Sequence, residues 1–374
     1  MRFTAAVISA AVMMLLPAQA AWSQEAPKLD SIPESVAAPL LKSYVDTIDA
    51  YTRHYAGQLR SAKDEAGIVA AREALVSGYK ANASPAFKFG YAQSAAANVA
   101  GVFDAKDEFK TLRQVNAGLA LSNMPSVAVQ PALEKMAVHA DAVVRLYGWQ
   151  GYRAARQPIL GQGKDNAQAM FKLLAQQMPK ESSAAIIGAM LDILDLGQLD
   201  LSVLDKEVQK LANQQAYGIF AKNWHVVCQS IIAGDASFAS AASKGVSAAT
   251  YLLSVADAEQ RKVLLQGMMD IIFCGATAFD AVVQELPSAT GRAKHELEVK
   301  AESYAGLLRD AEDRLKMAVS GKDTPIAEAL KQNGQGRGLA VLQGMVKWLT
   351  ELKGQGVVDP KYARPTTNPA TAPA

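Results

Sequence analysis

SVAVQPALEKMAVHADAVVRLYGWQGYRAARQPIL, residues 126–160, reads as two helices joined by a short turn, and much of the chain looks like looser versions of that unit. In the first helix Val127, Val129, Leu133, Met136 and Ala137 approximate one face of a 3.6-residue repeat. Pro125 and Ser126 suit its start, since proline has no amide to leave unsatisfied and serine accepts from free N–H groups. Pro131 either marks the true first turn or kinks the helix. The turn is His139-Ala140-Asp141, with Asp141 the predicted N-cap of a second helix from Ala142 to about Gln157, which Pro158 should stop. On that helix Val144, Tyr147, Gly148, Gly151 and Ala155 share one side, where small residues allow a neighbouring helix to come close. Arg145, Trp149, Tyr152, Arg153 and Arg156 make the other stripe.

Leu133 and Met136 in the first helix, Asp141 in the turn, Val144-Arg145 after it and the small positions that follow give a unit that resembles a HEAT repeat. The resemblance covers about one repeat. It implies an α-solenoid, in which stacked helix pairs touch mainly their neighbours and bind other macromolecules. It implies no catalytic residues.

The chain has 374 residues, half of them hydrophobic, enough to bury a sizeable core. Its formal charge is +2, falling to +1 without Arg2, too near balance for the positive field a nucleic-acid binder needs. MRFTAAVISAAVMMLLPAQA, residues 1–20, has the basic start, apolar run and Ala18-Gln19-Ala20 site of a secretory signal peptide. No later run is expected to span a bilayer, because Gln266, Asp270 and Asp280 interrupt the longest one, Val263 to Val283. The expected product is soluble, and periplasmic or extracellular. Cys228 and Cys274 suit either one disulfide or two separate buried thiols, and the sequence does not decide.

Residues 21–32 read as a polar linker and 33–200 as HEAT-like helical repeats. Helices are expected over Glu34–Arg60, Asp64–Tyr79, from Ser84-Pro85 onward, and over Glu108–Asn123, Ala167–Gln177 and Ser182–Leu194, with a loop over Gly161–Asn166. Breaks near 82, 124, 161 and 197 fall about one helix pair apart. Residues 201–356 form a C-terminal region of longer helices. They run over Ser202–Ile232 with a break near Gly218, then Val246–Val255, Ala258–Leu286, Arg292–Val319 and Leu339–Lys353. The fourth carries a heptad-like seam, Leu297 to Ala318, and outer pairs Glu296–Lys300, Asp310–Arg314 and Glu312–Lys316. Residues 357–374, rich in Pro, Thr and Ala, are expected to be disordered.

Motifs for chemistry are sparse. His225 and Cys228 stand at i,i+3 with Cys274 as a third donor, but no fourth ligand is evident. His295-Glu296 lacks the second histidine of a zinc protease, since Val299 holds its place. Asp192, Asp195, Asp200 and Asp205 lack calcium-loop spacing and suit capping and surface charge. Gly334, Gly336 and Gly338 follow no strand and read as a linker. No cofactor, metal or catalytic group is therefore assigned.

The expected fold is all-α: an α-solenoid of HEAT-like antiparallel helix pairs with a C-terminal long-helix bundle. The expected role is a non-enzymatic scaffold or adaptor for another envelope or secreted protein, without nucleic acid or stable membrane insertion. The alternative is a binding protein for a small lipid, glycan or anionic ligand held between helices. The candidate interaction surface is Arg153, Arg156, Tyr152, Trp149 and Arg145, types enriched at interface hot spots. Within it, Trp149 also suits the core and Arg145 a pairing with Asp141, which leaves Arg153 and Arg156 the stronger candidates for an exposed edge.

Overall fold

The computed structural model describes residues 26–104, 106–319, 326–331 and 336–353. The expected signal peptide and C-terminal tail lie outside them. Among the described residues the fold is all-α, with fourteen α-helices and no strand.

The helices are α1 (Lys42–Ser61), α2 (Glu65–Lys80), α3 (Pro85–Val99), α4 (Lys110–Ser122), α5 (Gln130–Ala137), α6 (Ala142–Gly161) and α7 (Lys164–Gln177). Then come α8 (Ala184–Leu194), α9 (Lys206–Ile232), α10 (Phe238–Val255), α11 (Ala258–Glu285), α12 (Gly291–Val319), α13 (Ile326–Lys331) and α14 (Gly336–Lys353). Side-chain caps set many of the starts. Asp64 accepts from Gly67 N at 2.7 Å and Asp141 from Val143 N at 2.8 Å. Asp205 caps α9, and Asp257 with Gln260 forms a capping box on α11.

Several boundaries differ from expectation. Residues 26–41 are irregular, so α1 starts at Lys42 rather than Glu34. Leu29 and Ile32 in that lead are buried, so it docks on the body instead of trailing as a polar linker. Pro131 sits in the first turn of α5, which settles its role. Pro158 does not stop α6. The helix runs on to Gly161 because Ile159 and Leu160 are fully buried beyond the proline, and their burial offsets the lost amide bond. Gly163, at φ +111°, then turns the chain within two residues, and the expected loop to Asn166 is already α7. Gly218 does not break α9. The α12 seam is buried from Ala301 to Leu315, but Glu296 pairs with Arg292 at 2.8 Å rather than with Lys300.

The packing order is regular. α2, α4, α6, α8, α10 and α12 form one row, each against the next, while α7, α9, α11 and α14 form another. α1 rests on α2 and α3, α5 lies against α6, and α9 to α12 also pack across the rows. One continuous set of buried apolar side chains joins these elements, from Leu29 to Met345. α11 is the most deeply embedded helix. With its following turn, Ala258–Ser288, it is long and apolar enough to cross a bilayer, contrary to expectation, but 83% of its apolar window is buried inside the fold. Its apolar character is thus what a central core helix requires.

Candidate polar cleft across four helices

Helix α6 is fixed from its small-residue side. A Cβ at Gly148 would stand 2.7 Å from the Ala137 backbone nitrogen, and one at Gly151 would run into the Leu133 side chain. Both glycines therefore let α5 lie close. This contact and the Asp141 cap set the direction in which the other stripe points.

That stripe does not form one exposed surface. Trp149 and Tyr152 are fully buried, with ring centroids 5.5 Å apart, so the two aromatics belong to the core. Burial pushes the Tyr152 phenol up. Arg145 pairs not with Asp141 but with Glu181, just before α8, Nε to Oε2 at 2.8 Å and Nη2 to Oε1 at 3.3 Å. Its Nη1 donates to the carbonyls of His139 and Ala140, at 3.0 and 2.8 Å, so it does hold the turn. The bond to Glu181 raises the Arg145 guanidinium. Burial alone would raise the Glu181 carboxyl, but Arg145 and the Ser182 and Ser183 amides more than offset this and hold it below its ordinary value.

Arg153 and Arg156 reach a different place. They border a cleft of about 440 Å3 whose walls come from α6, α8 with its C-cap Asp195, α10 and α12. Arg153 is half exposed and pairs with Asp192 at 3.4 Å. Asp192 also takes Lys244 at 2.9 Å. Asp195 accepts from Ser247 at 2.7 Å and Gln198 at 3.4 Å. Arg156, expected on an exposed edge, is only 6% exposed, and its Nη1 donates to the Asp192 carbonyl. Burial lowers its pKa, Arg153 adds to that, and Asp195 and Asp192 oppose it. With Asp310 and Arg314 on α12, four cations face three carboxylates, a formal +1.

Sequence reasoning found the two arginines of this cleft and took Asp192 and Asp195 for ordinary surface charge. It places a helix only over Val246–Val255, the second half of α10, and gives α10 no part in the cleft. The signal there is Ser240, Ser243, Lys244 and Ser247, a polar stripe at helical spacing on a helix otherwise rich in alanine and apolar residues. Asp200 and Asp205 do cap, accepting from Ser202 N and Glu207 N.

Other candidates are placed as follows. Cys228 and Cys274 are buried free thiols, and burial with the neighbouring Cys274 pushes Cys228 up. No group of three or more His, Cys, Asp or Glu suited to a metal occurs among the described residues. Gly336 opens α14, and Gly338 brings that helix against Asp280, where a Cβ would stand 2.7 Å from its Cα. A second cavity, about 750 Å3, lies between α1 and α3 and is mostly apolar, with Leu40, Val45 and Phe89 among its walls.

No protein-family model and no curated protein matches this chain. Among solved structures, the crystal structure of an engineered protein aligns with 86% of this chain and 94% of its own at 15% identity, with a TM-score of 0.30.

Proposed function

We propose that the protein is an exported, non-enzymatic scaffold or adaptor, a stack of HEAT-like helix pairs that binds another envelope or secreted protein across the row α6–α8–α10–α12. The observation that carries this reading is the cleft: four successive helices of one row contribute charged and hydroxyl side chains to a single concave surface. A repeat stack recognises partners in this way, with each unit adding a few side chains to a surface none could form alone. Paired, partly solvated charges suit orientation and specificity of docking.

The test is crosslinking in intact cells followed by mass spectrometry, with wild type beside Arg153→Glu/Lys244→Glu. Both side chains are partly exposed, so the fold should tolerate the change. One abundant partner, lost in the variant, is the expected result. Equal capture by the variant would move the surface elsewhere, and absence of any partner would overturn the adaptor reading. Export is checked by the N-terminus of the mature chain, expected at Ala21.

The second reading, a carrier of a small apolar ligand, is favoured by the α1–α3 cavity, whose volume is in the range of ligand sites. Thermal stabilisation by a lipid, abolished by Val45→Asp, would support it.

A further inference from the structure

Arg145 and Arg156 lie eleven residues apart on α6, three turns along nearly the same face. Arg145 gives Nη1 to main-chain carbonyls and the fork of Nε and Nη2 to both oxygens of Glu181. Arg156 repeats the first half of this arrangement, giving Nη1 to the Asp192 carbonyl. The second half is missing. Its Nε and Nη2 donate to no group among the described residues, although the residue is more than nine-tenths buried. The carboxylates in its field are engaged elsewhere, Asp192 by Arg153 and Lys244, and Asp195 by Ser247 and Gln198. The guanidinium is thus largely buried, yet its planar Nε/Nη2 edge opens on the cleft without a protein acceptor among the described residues and is free to take one.

The geometry points to the Nε/Nη2 edge of Arg156 as the seat for a carboxylate of the partner, held through two parallel bonds as Arg145 holds Glu181. This rests on the adaptor reading and names the group it recognises. Charge favours the assignment: a monoanion neutralises the formal +1 of the cleft, whereas a phosphate dianion overshoots it and meets three carboxylates. The planar fork also matches a carboxylate in shape. Arg153 and Lys244 at the more exposed rim supply attraction on approach.

The experiment uses the mature protein with Nε-labelled arginine, followed by NMR. It is titrated with N-acetylglycine (a chain terminus), N-acetylglutamate α-amide (an acidic side chain), N-acetylglycinamide and inorganic phosphate. The expected result is a saturable shift of the Arg156 Nε–H signal with one or both carboxylates, none with the amide, and weaker binding of phosphate. Arg156→Lys should remove the signal and weaken carboxylate binding about tenfold while keeping the charge. Absence of a saturable shift, preference for phosphate, or undiminished binding by Arg156→Lys would overturn the seat. Should that variant not fold, the wild-type comparison of carboxylate, amide and phosphate decides alone. A partner captured in cells with a silent Arg156 signal retires the seat and keeps the adaptor. Carboxylate binding with no partner does the reverse.

Discussion

Glu181 and Gly148 hold α6 in two different ways, and each makes a prediction. Glu181 is nearly buried and takes a two-bond fork from Arg145 as well as two backbone amides. Glu181→Gln keeps the shape and removes the charge, so it should cost about 1.5–3 kcal/mol, the worth of hydrogen bonds to a charged group. Because the folded protein holds this carboxyl below its ordinary 4.5, the ionised form is the one that folding favours. Its contribution is therefore present above that value and fades as the pH falls through the lower folded value. Urea unfolding of wild type and variant at neutral and acidic pH should show the gap between them closing on the acid side. Gly148 acts by absence: the Cβ of Gly148→Ala would meet backbone, which cannot swing aside. A loss of roughly 1–3 kcal/mol is expected from such overpacking. Gly161→Ala, which adds its Cβ to open space, should be neutral or slightly stabilising in the same assay.

At the scale of the helix, capping and small-residue spacing were legible in the sequence, and tertiary burial was not. Asp64, Ser84 and Asp141 all cap where the sequence places a helix start, because that bond is local and needs only the neighbouring amides, whereas α9 starts after Asp205 rather than at Ser202. The end of α6 was misjudged because the rule about proline is also local, whereas the burial of Ile159 and Leu160 depends on the fold as a whole. The same limit applies to the candidate surface. An Arg and aromatic stripe looks alike on the page whether it faces solvent or a neighbouring helix, and only packing sends Trp149 and Tyr152 inward and Arg153 outward. Pro158 gives this account a test. Its ring removes the amide that would bond to Ala154, at a usual cost of about 3 kcal/mol in a helix interior, partly returned through a stiffer unfolded chain. Pro158→Ala should therefore raise the urea midpoint, by about 1–2 kcal/mol in stability. A lower midpoint would mean that the proline bend itself seats Ile159 and Leu160.

Among the described residues each row advances one helix at a time, so the main contacts between distant elements run through the helices between them. α2 packs chiefly on α1, α3 and α4, and shares no comparable contact with α9 to α12. On the proposed repeat-stack reading, stability behaves as a sum of local units and the interfaces between neighbours. A defect at one end should then loosen its own neighbourhood before it reaches the other. Leu75 is fully buried in α2, and Leu75→Ala should cost about 2–5 kcal/mol locally by leaving a cavity. Native-state hydrogen exchange read by mass spectrometry should show faster exchange through α1 to α4, with the amides of α9, α11 and α12 almost unchanged. The long α9 and α11 act against a complete separation, because they pack on each other and on α10 and tie the later elements into one block. The boundary between affected and unaffected amides is therefore expected near α5 and α6, where the chain passes from short helices to that block. Uniform acceleration over all helices would instead mean that the single apolar core, which runs unbroken from Leu29 to Met345, couples the two ends despite the neighbour-by-neighbour packing.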